Sequence, residues 1–334
     1  MFNNRILFIS GGTGSFGNCF IKKICSLYKP KKLIIYSRDE YKQYEMQKKF
    51  PQSKFPFLRF LIGDVRDYSR LKFAMKDVDY LIHAAALKHV PTAEYNPLEF
   101  IKTNINGAEN IIQSAIEQKV KRVIALSTDK AANPINLYGA TKFVSDKLFI
   151  SAKSLTGKQD TIFSVVRYGN VLGSRGSVVS FFNKLKSDGE NIFPITHNEM
   201  TRFWISLDQA VEFVIFSLKK MIGGEILIPK LPSIRIIDLA KSINNNAKFK
   251  FIGVRPGEKI HELMCPKEFN HLTYEFKNHF IILDNNHKDI LSKLFKNYGK
   301  KPAKVKKDFE YNSELNSHFL KINEIKKFLE ENNL

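Results

Sequence analysis

An apolar run from Arg5 to Ser10 passes directly into Gly11-Gly12-Thr13-Gly14-Ser15-Phe16-Gly17, and an amphipathic stretch follows with Phe20, Ile21, Ile24 and Leu27 among its apolar positions. No other feature limits the fold as strongly. Glycines between a strand and a helix let backbone N–H groups approach a pyrophosphate, and the helix N-terminus favours its charge. Gly11, Thr13, Gly14, Ser15, Phe16 and Gly17 are therefore read as a dinucleotide-binding turn. The fold class that follows is α/β, a doubly wound parallel sheet.

Later segments keep the alternation. A second strand, Lys32 to Tyr36, ends in Ser37-Arg38-Asp39, about 20 residues past the last glycine, where the adenosine ribose is read. Ser37 and Arg38 precede the acid there, and a guanidinium suits a 2′-phosphate, so the cofactor is read as NADP with Lys42 as a second cation. Asp39 is innocuous as a helix N-cap but would favour NAD if turned inward. A third strand, Phe57 to Ile62, leads to Asp64 and Val65, candidates for adenine contact. A fourth, Val78 to Ile82, leads to His83 and the small residues Ala84, Ala85 and Ala86, which admit a flat nicotinamide or a diphosphate. His83 reads as structural, and Lys88 as an anion or sugar contact. One helix is expected from about Pro97 to Lys119, with Asn104 inside it near the site.

The chemistry concentrates in L-S-T-D-K-A-A-N-P-I-N-L-Y-G-A-T-K, Leu126 to Lys142. Tyr138 and Lys142 are four apart and share a helix face, so the ammonium is expected to draw the phenol down towards the working pH. Asp129 and Lys130 follow the strand Arg122 to Leu126, at the end of a parallel strand where ligands bind. Two acid/base stations therefore converge. A further strand, Ile162 to Arg167, precedes a polar, glycine-rich turn, Tyr168 to Gly176. Residues 1–174 are read as the cofactor domain carrying the catalytic groups, 175–285 as mainly substrate-binding, and 286–334 as a C-terminal extension whose lysines form a solvated tail or edge.

Bulk properties narrow the partners. Lys and Arg number 53 against 33 Asp and Glu, a formal net charge of +20. The basic residues are dispersed and no nucleic-acid motif stands out. Cys19, Cys25 and Cys265 have no paired spacing, so neither a disulfide framework nor a metal site is expected. No apolar run approaches the ~18 residues of a membrane span, and the N-terminus enters a strand without a signal-like segment. The reading is a cytoplasmic protein without a membrane partner.

Taken together, G-G-T-G-S-F-G, Y-S-R-D-E, H-A-A-A-L-K-H-V-P, the Leu126–Lys142 stretch, R-Y-G-N-V-L-G-S-R-G-S, M-T-R-F-W and R-P-G-E-K resemble the extended short-chain dehydrogenase/reductases. Within them they resemble the configuration-inverting UDP-N-acetylglucosamine 4,6-dehydratases that begin pseudaminic acid synthesis. The resemblance runs from residue 5 to about 283. It implies a homo-oligomer that acts on UDP-N-acetylglucosamine. Tyr138 with Lys142 would serve oxidation at C4, Thr128 would polarise C4, Lys130 would take the C5 proton and Asp129 would protonate the departing C6 hydroxyl. Lys88, Asn170, Thr196, Arg255 and Glu258 would hold the sugar nucleotide. Arg175 and Arg202 join them on charge and position. Retaining relatives carry Asp-Glu where this chain has Asp129-Lys130, and an ammonium acts as a base only after losing its proton, so Lys130 is expected to have a depressed pKa. A 4-epimerase of the same fold would need Tyr138 and Lys142 but not Asp129 with Lys130.

Overall fold

The computed structural model describes residues 1–157, 160–173, 177–284, 288–299 and 302–332. The alternation begins as the apolar periodicity dictates: β1 (Ile6–Ser10), α1 (Ser15–Leu27), β2 (Lys32–Ser37), α2 (Glu40–Lys49), β3 (Leu58–Ile62), α3 (Tyr68–Ala74) and β4 (Tyr80–His83). β1 is buried at every position, as a strand covered on both faces must be, whereas β3 mixes buried and exposed residues and forms the sheet edge. α2 and α3 start where Asp39 and Asp67 accept the N–H of Lys42 and Arg70, each at 2.9 Å.

The helix expected from Pro97 to Lys119 is interrupted. After α4 (Val90–Tyr95), α5 (Pro97–Phe100) passes into a π-helical turn, Ile101–Asn106, before α6 (Gly107–Glu117). The wider turn carries Asn104, which is buried. Its Oδ1 accepts from Leu87 N and its Nδ2 donates to Leu87 O, both at 2.9 Å, and Nδ2 also donates to Thr141 Oγ1 at 3.0 Å. This one amide ties the loop after β4 to the helix that carries Tyr138, a use in keeping with π turns at functional sites.

Downstream come β5 (Arg122–Thr128), α7 (Leu137–Ser151), β6 (Ile162–Tyr168), β7 (Asn170–Val171), α8 (Val178–Ser187), β8 (Ile192–Ile195), β9 (Thr201–Ile205), α9 (Leu207–Lys220) and β10 (Glu225–Pro229). Then follow β11 (Ser233–Arg235), α10 (Ile236–Ile243), β12 (Lys248–Phe251), β13 (Leu263–Cys265), β14 (Thr273–Glu275), β15 (His279–Leu283), α11 (Lys288–Tyr298), β16 (Ala303–Lys304), β17 (Tyr311–Asn312) and α12 (Ile322–Glu331). Among the described residues the main sheet has ten strands in the order β16-β14-β15-β10-β6-β5-β4-β1-β2-β3. From β3 to β10 neighbours run parallel; β15, β14 and β16 add antiparallel. Strand order reverses between β1 and β4, which places a crevice at their C-terminal ends, where such sheets bind ligands.

A second apolar core gathers Phe182, Phe193, Trp204, Ile234 and Leu239 with Ile325 and Leu329 of α12. The C-terminal segment is thus more than a solvated tail. Lys304 does lie on an edge strand. α12, by contrast, packs on α10, Trp204 stacks on Phe328 with centroids 6.0 Å apart, and Tyr311 hydrogen-bonds Leu231. Its amphipathic sequence supplies the face: Ile325 and Leu329 are four apart and both buried, a gain of about 1.5–3 kcal/mol each.

Candidate active site

Two neighbouring structures form the site, a cleft over β1 and β4 and a charged cluster at the end of β5. The cleft, about 280 Å³, is walled by Gly11, Thr13, Gly14, Tyr36, Ser37, Arg38, Asp39, Lys42, Val65, Ala84, Ala85, Ala86 and Thr103. The glycine turn and the small alanines in its lining suit close approach of a dinucleotide. Gly11 has φ +68°, and a Cβ there would stand 2.7 Å from Ala85 N, so the two backbones meet with no room for a side chain. Gly14 caps α1 without a side chain, and the first turn carries no acid, leaving its N–H groups for an anion.

Asp39 lines the cleft and at the same time serves as the N-cap of α2. It also pairs with the Lys42 ammonium. Asp64 is engaged as well: Arg66 donates to its Oδ2 at 2.7 and 3.0 Å, and Arg38 stands 3.6 Å away. Partial burial works against its ionisation, but the Arg66 hydrogen bonds hold its carboxyl below the usual carboxylate range. Ser15, Phe16, Gly17, Asp64, Tyr138 and Lys142 are not among the residues walling the cleft. Thr103 walls it and was missed. His83 is structural, as expected: it is buried, its Nδ1 lies 2.8 Å from Ser10 Oγ, and burial followed by the nearby Lys142 charge lowers its pKa to about 3.

At the end of β5, Thr128 caps a single 3₁₀ turn, Asp129–Ala131, and Asn136 caps α7 by accepting the N–H of Gly139 at 2.7 Å. The R-P-G-E-K turn grips this segment from the other side. Asn136 donates to Gly257 O at 2.7 Å, and Lys259 Nζ donates to Ala132 O at 2.5 Å. Contact is so close that a Cβ on Gly139 would lie 2.3 Å from Lys130 O. Gly139→Ala is therefore expected to cost about 1–3 kcal/mol of stability and to shift the Asp129–Lys130 turn, as a thermal melt and an assay of the same sample will show.

Lys130 is the hub of the charged cluster. Its ammonium donates to Asp129 Oδ1 at 3.1 Å and to Glu262 Oε1 at 2.9 Å, and Thr128 Oγ1 donates to the same Asp129 oxygen at 2.9 Å. Burial alone would lower the lysine pKa, yet the charges of Asp129 and Glu262 outweigh it and raise the pKa above the lysine range. The expected depression is thus reversed, because the counter-ions are two carboxylates and not cations. Asp129, 1% exposed, is raised by burial and then by Glu262, so it keeps a proton to higher pH than an ordinary carboxyl. Glu262 goes the other way: burial is overcome by Lys130, Arg202 and Lys259.

The phenol also departs from expectation. Burial pushes Tyr138 up to about 12 against the opposing effects of Lys130 and a hydrogen bond with Thr128. Lys142, buried one turn on, is lowered by burial and partly restored by Asp146. Asp146 itself accepts from Ser127 Oγ at 2.7 Å and from Arg167 Nη2 at 3.0 Å.

Of the sugar-nucleotide candidates, Arg202 and Glu258 come together at 3.3 Å, and Arg202 Nε reaches Glu262 at 3.5 Å. The Lys88 pKa is lowered by partial burial and then by the charge of Lys130. Asn170 has a buried Oδ1 with no partner among the described residues. Arg255 is exposed on its turn and Thr196 half-buried after β8, both outside the ion-pair network. Arg175 lies outside the described residues. Glu262 was missed; its only sequence signal is its place four residues after Glu258, in a segment that is not helical.

The polysaccharide biosynthesis protein family matches residues 7–284. A UDP-N-acetylglucosamine 4,6-dehydratase (inverting) of Campylobacter jejuni subsp. jejuni serotype O:2 is 54% identical over 322 residues, covering 95% of this chain and 94% of the relative. A UDP-glucose 4-epimerase of Rickettsia bellii is 44% identical over 276 residues, covering 80% of each. Among solved structures, Pen from Bacillus thuringiensis superposes with a TM-score of 0.89 at 35% identity, covering 100% of this chain and 99% of that one. With the glycine turn, the switch-point cleft and the Tyr138 and Lys130 stations already in place, the chain belongs to the polysaccharide biosynthesis protein family, built on the extended short-chain dehydrogenase/reductase fold.

Proposed function

We propose that this protein is an NADP-dependent UDP-N-acetylglucosamine 4,6-dehydratase that inverts C5, giving UDP-2-acetamido-2,6-dideoxy-β-L-arabino-hexos-4-ulose, and that this is the first step of pseudaminic acid synthesis. The observation that carries the reading is the contact of half-buried Lys130 with buried Asp129 beside Tyr138. Oxidation and reduction at C4 alone would not require it. The 54% identity to an inverting dehydratase points the same way. In this reading 1–174 holds cofactor and catalytic groups, 175–285 closes over the sugar nucleotide and 286–334 braces both, in a cytoplasmic homo-oligomer.

Bound NADP would accept a hydride from C4 and return it to C6. Tyr138 takes the C4 hydroxyl proton, with Thr128 hydrogen-bonded to the phenol and Lys142 one turn along the same helix face. The resulting ketone acidifies the C5 hydrogen. Lys130 removes that hydrogen as a free amine, while Asp129 protonates the departing C6 hydroxyl. Both forms arise from one event: the proton that must leave Lys130 is the one Asp129 needs, and their atoms are 3.1 Å apart. Water departs with the Asp129 proton and the C5 proton is on Lys130; a solvent water on the opposite face then supplies the new C5 proton, and Lys130 returns its proton to Asp129. Lys88, Asn170, Thr196, Arg202, Arg255 and Glu258, with Arg175, hold the sugar nucleotide.

Incubating the protein with UDP-N-acetylglucosamine and NADP, with proton NMR of the sugar, tests the reading: a 6-deoxy-4-keto product is expected. Because the chain is also 44% identical to a UDP-glucose 4-epimerase, the alternative outcome is a C4 epimer that keeps its C6 hydroxyl. Cofactor choice has its own test. Arg38 and Lys42 line the ribose end of the cleft while Asp39 is occupied as a cap, so NADP should bind more tightly than NAD. Arg38→Ala should narrow the gap by about 1–3 kcal/mol in calorimetric titrations, the range for a charged hydrogen bond. Equal affinities in the unmutated protein would remove the NADP assignment.

A further inference from the structure

Glu262 has no part in the steps above, yet it is 1% exposed and sits among charges from every element around it. Asp129 and Lys130 reach it from the turn after β5, Arg202 from β9, and Lys259 from the turn before it. Tyr138 and Lys88 feel the same Lys130 charge from α7 and from the loop after β4, while Glu258 shares Arg202 and His261 is its chain neighbour. Oε1 takes both the Lys130 ammonium and the Arg202 Nε, whereas Oε2 is buried with no hydrogen-bond partner among the described residues. A buried carboxylate oxygen without a partner is costly, so its retention calls for a role other than holding the chain together.

The C-terminal segment fixes its position. Glu262 N donates to Ser313 Oγ at 2.9 Å and Ser313 N donates back to Glu262 O at 2.8 Å. Thr201 Oγ1 lies 2.6 Å from the same serine hydroxyl and 2.8 Å from His261 Nδ1. Pairing of β13 with β17 continues this clamp. The backbone of Glu262 is therefore held from both sides while its carboxylate points at Lys130.

We propose that Glu262 is a positioning residue for water elimination: it is the counter-ion that holds the Lys130 ammonium against Asp129, so that the elimination station has three members and the third is braced by Ser313. Removing its negative charge lowers the proton affinity of Lys130 and of Asp129 alike, since it raises both. The pH dependence of elimination must then move to lower pH in Glu262→Gln, a variant that keeps the shape of the side chain.

The kinetic arm rests on the dehydratase reading. In single turnovers Glu262→Gln should reduce the nicotinamide at a rate within about twofold of the parent, with KM similarly unchanged, while elimination slows about 10- to 100-fold and its pH profile shifts to lower pH. Glu262→Asp, which restores the charge on a shorter arm, should recover part of the loss and the parental pH profile. Elimination at the parental rate in Glu262→Gln, or an equal fall in reduction and elimination, overturns the proposal. A second arm needs no substrate. Side-chain ¹⁵N NMR of the lysine ammonium groups, with the Lys130 signal assigned by its absence in Lys130→Met, should show Lys130 titrating at lower pH in Glu262→Gln. An unchanged titration overturns the clamp whatever the substrate is, and a parent protein that fails to dehydrate UDP-N-acetylglucosamine sinks the functional reading while leaving this arm to decide.

Discussion

Tyr138→Phe is expected to abolish both nicotinamide reduction in a single turnover and release of a ketosugar, a loss of at least about 10²–10⁴-fold. The change deletes one oxygen. In the proposed mechanism that oxygen accepts the C4 hydroxyl proton, and Lys130, held as an ammonium by Asp129 and Glu262, does not replace it. Because burial puts the phenol at about 12, ionisation is uphill at neutral pH, and the oxidation rate of the parent should rise with pH towards that value. The sign follows from the base form being required: its population grows as pH approaches the phenol pKa from below. A variant that still reduces cofactor at the parental rate would assign the C4 proton to another group. Asp129→Asn supplies the contrast, since it should permit reduction and slow only dehydration.

Lys130→Met should bind NADP as the parent does and eliminate water hardly at all, a fall of roughly 10²–10⁴-fold. The cleft proposed to hold the cofactor is not lined by Lys130. Two buried carboxylates, Asp129 and Glu262, lose their shared ammonium, so a thermal melt must accompany the assay; folded but inactive protein is the expected result. With the parent enzyme in deuterated water, deuterium should enter at C5, and the hydrogen that began on C4 should appear undiluted at C6. The product should show L-series C5 coupling constants at early times. D-series couplings would make Lys130 a base that returns its proton to the face it came from, and the enzyme a retaining dehydratase.

Much of this site is legible in the chain because its parts are local. A strand, a glycine turn and a helix adjoin in residues 5–27, and Tyr138 and Lys142 share one face of α7 because four residues make about one helical turn. Asp129 and Lys130 are neighbours on the loop that ends a parallel strand. Arg202 and Glu258, chosen on charge and position alone, do meet at 3.3 Å.

What the sequence could not decide depends on residues far apart in it. Glu262 lies 132 positions from Lys130, and no periodicity links them, yet its carboxylate joins that of Asp129 in turning the depression expected of a buried base into an elevation. Proton affinity is a property of the assembled neighbourhood: two carboxylates outweigh desolvation for Lys130, while desolvation outweighs the Lys130 charge for Tyr138. The π turn at Ile101–Asn106 is equally invisible in an apolar pattern that fits one helix, since it carries Asn104, which binds Leu87 and Thr141 across the fold. The lysine-rich C-terminal segment reads as solvent-facing by composition. Its sparse apolar residues, Ile325, Phe328 and Leu329, dock on a second core that exists only once β9 and α10 have come together, and the pairing of β17 with β13 brings Ser313 to Glu262.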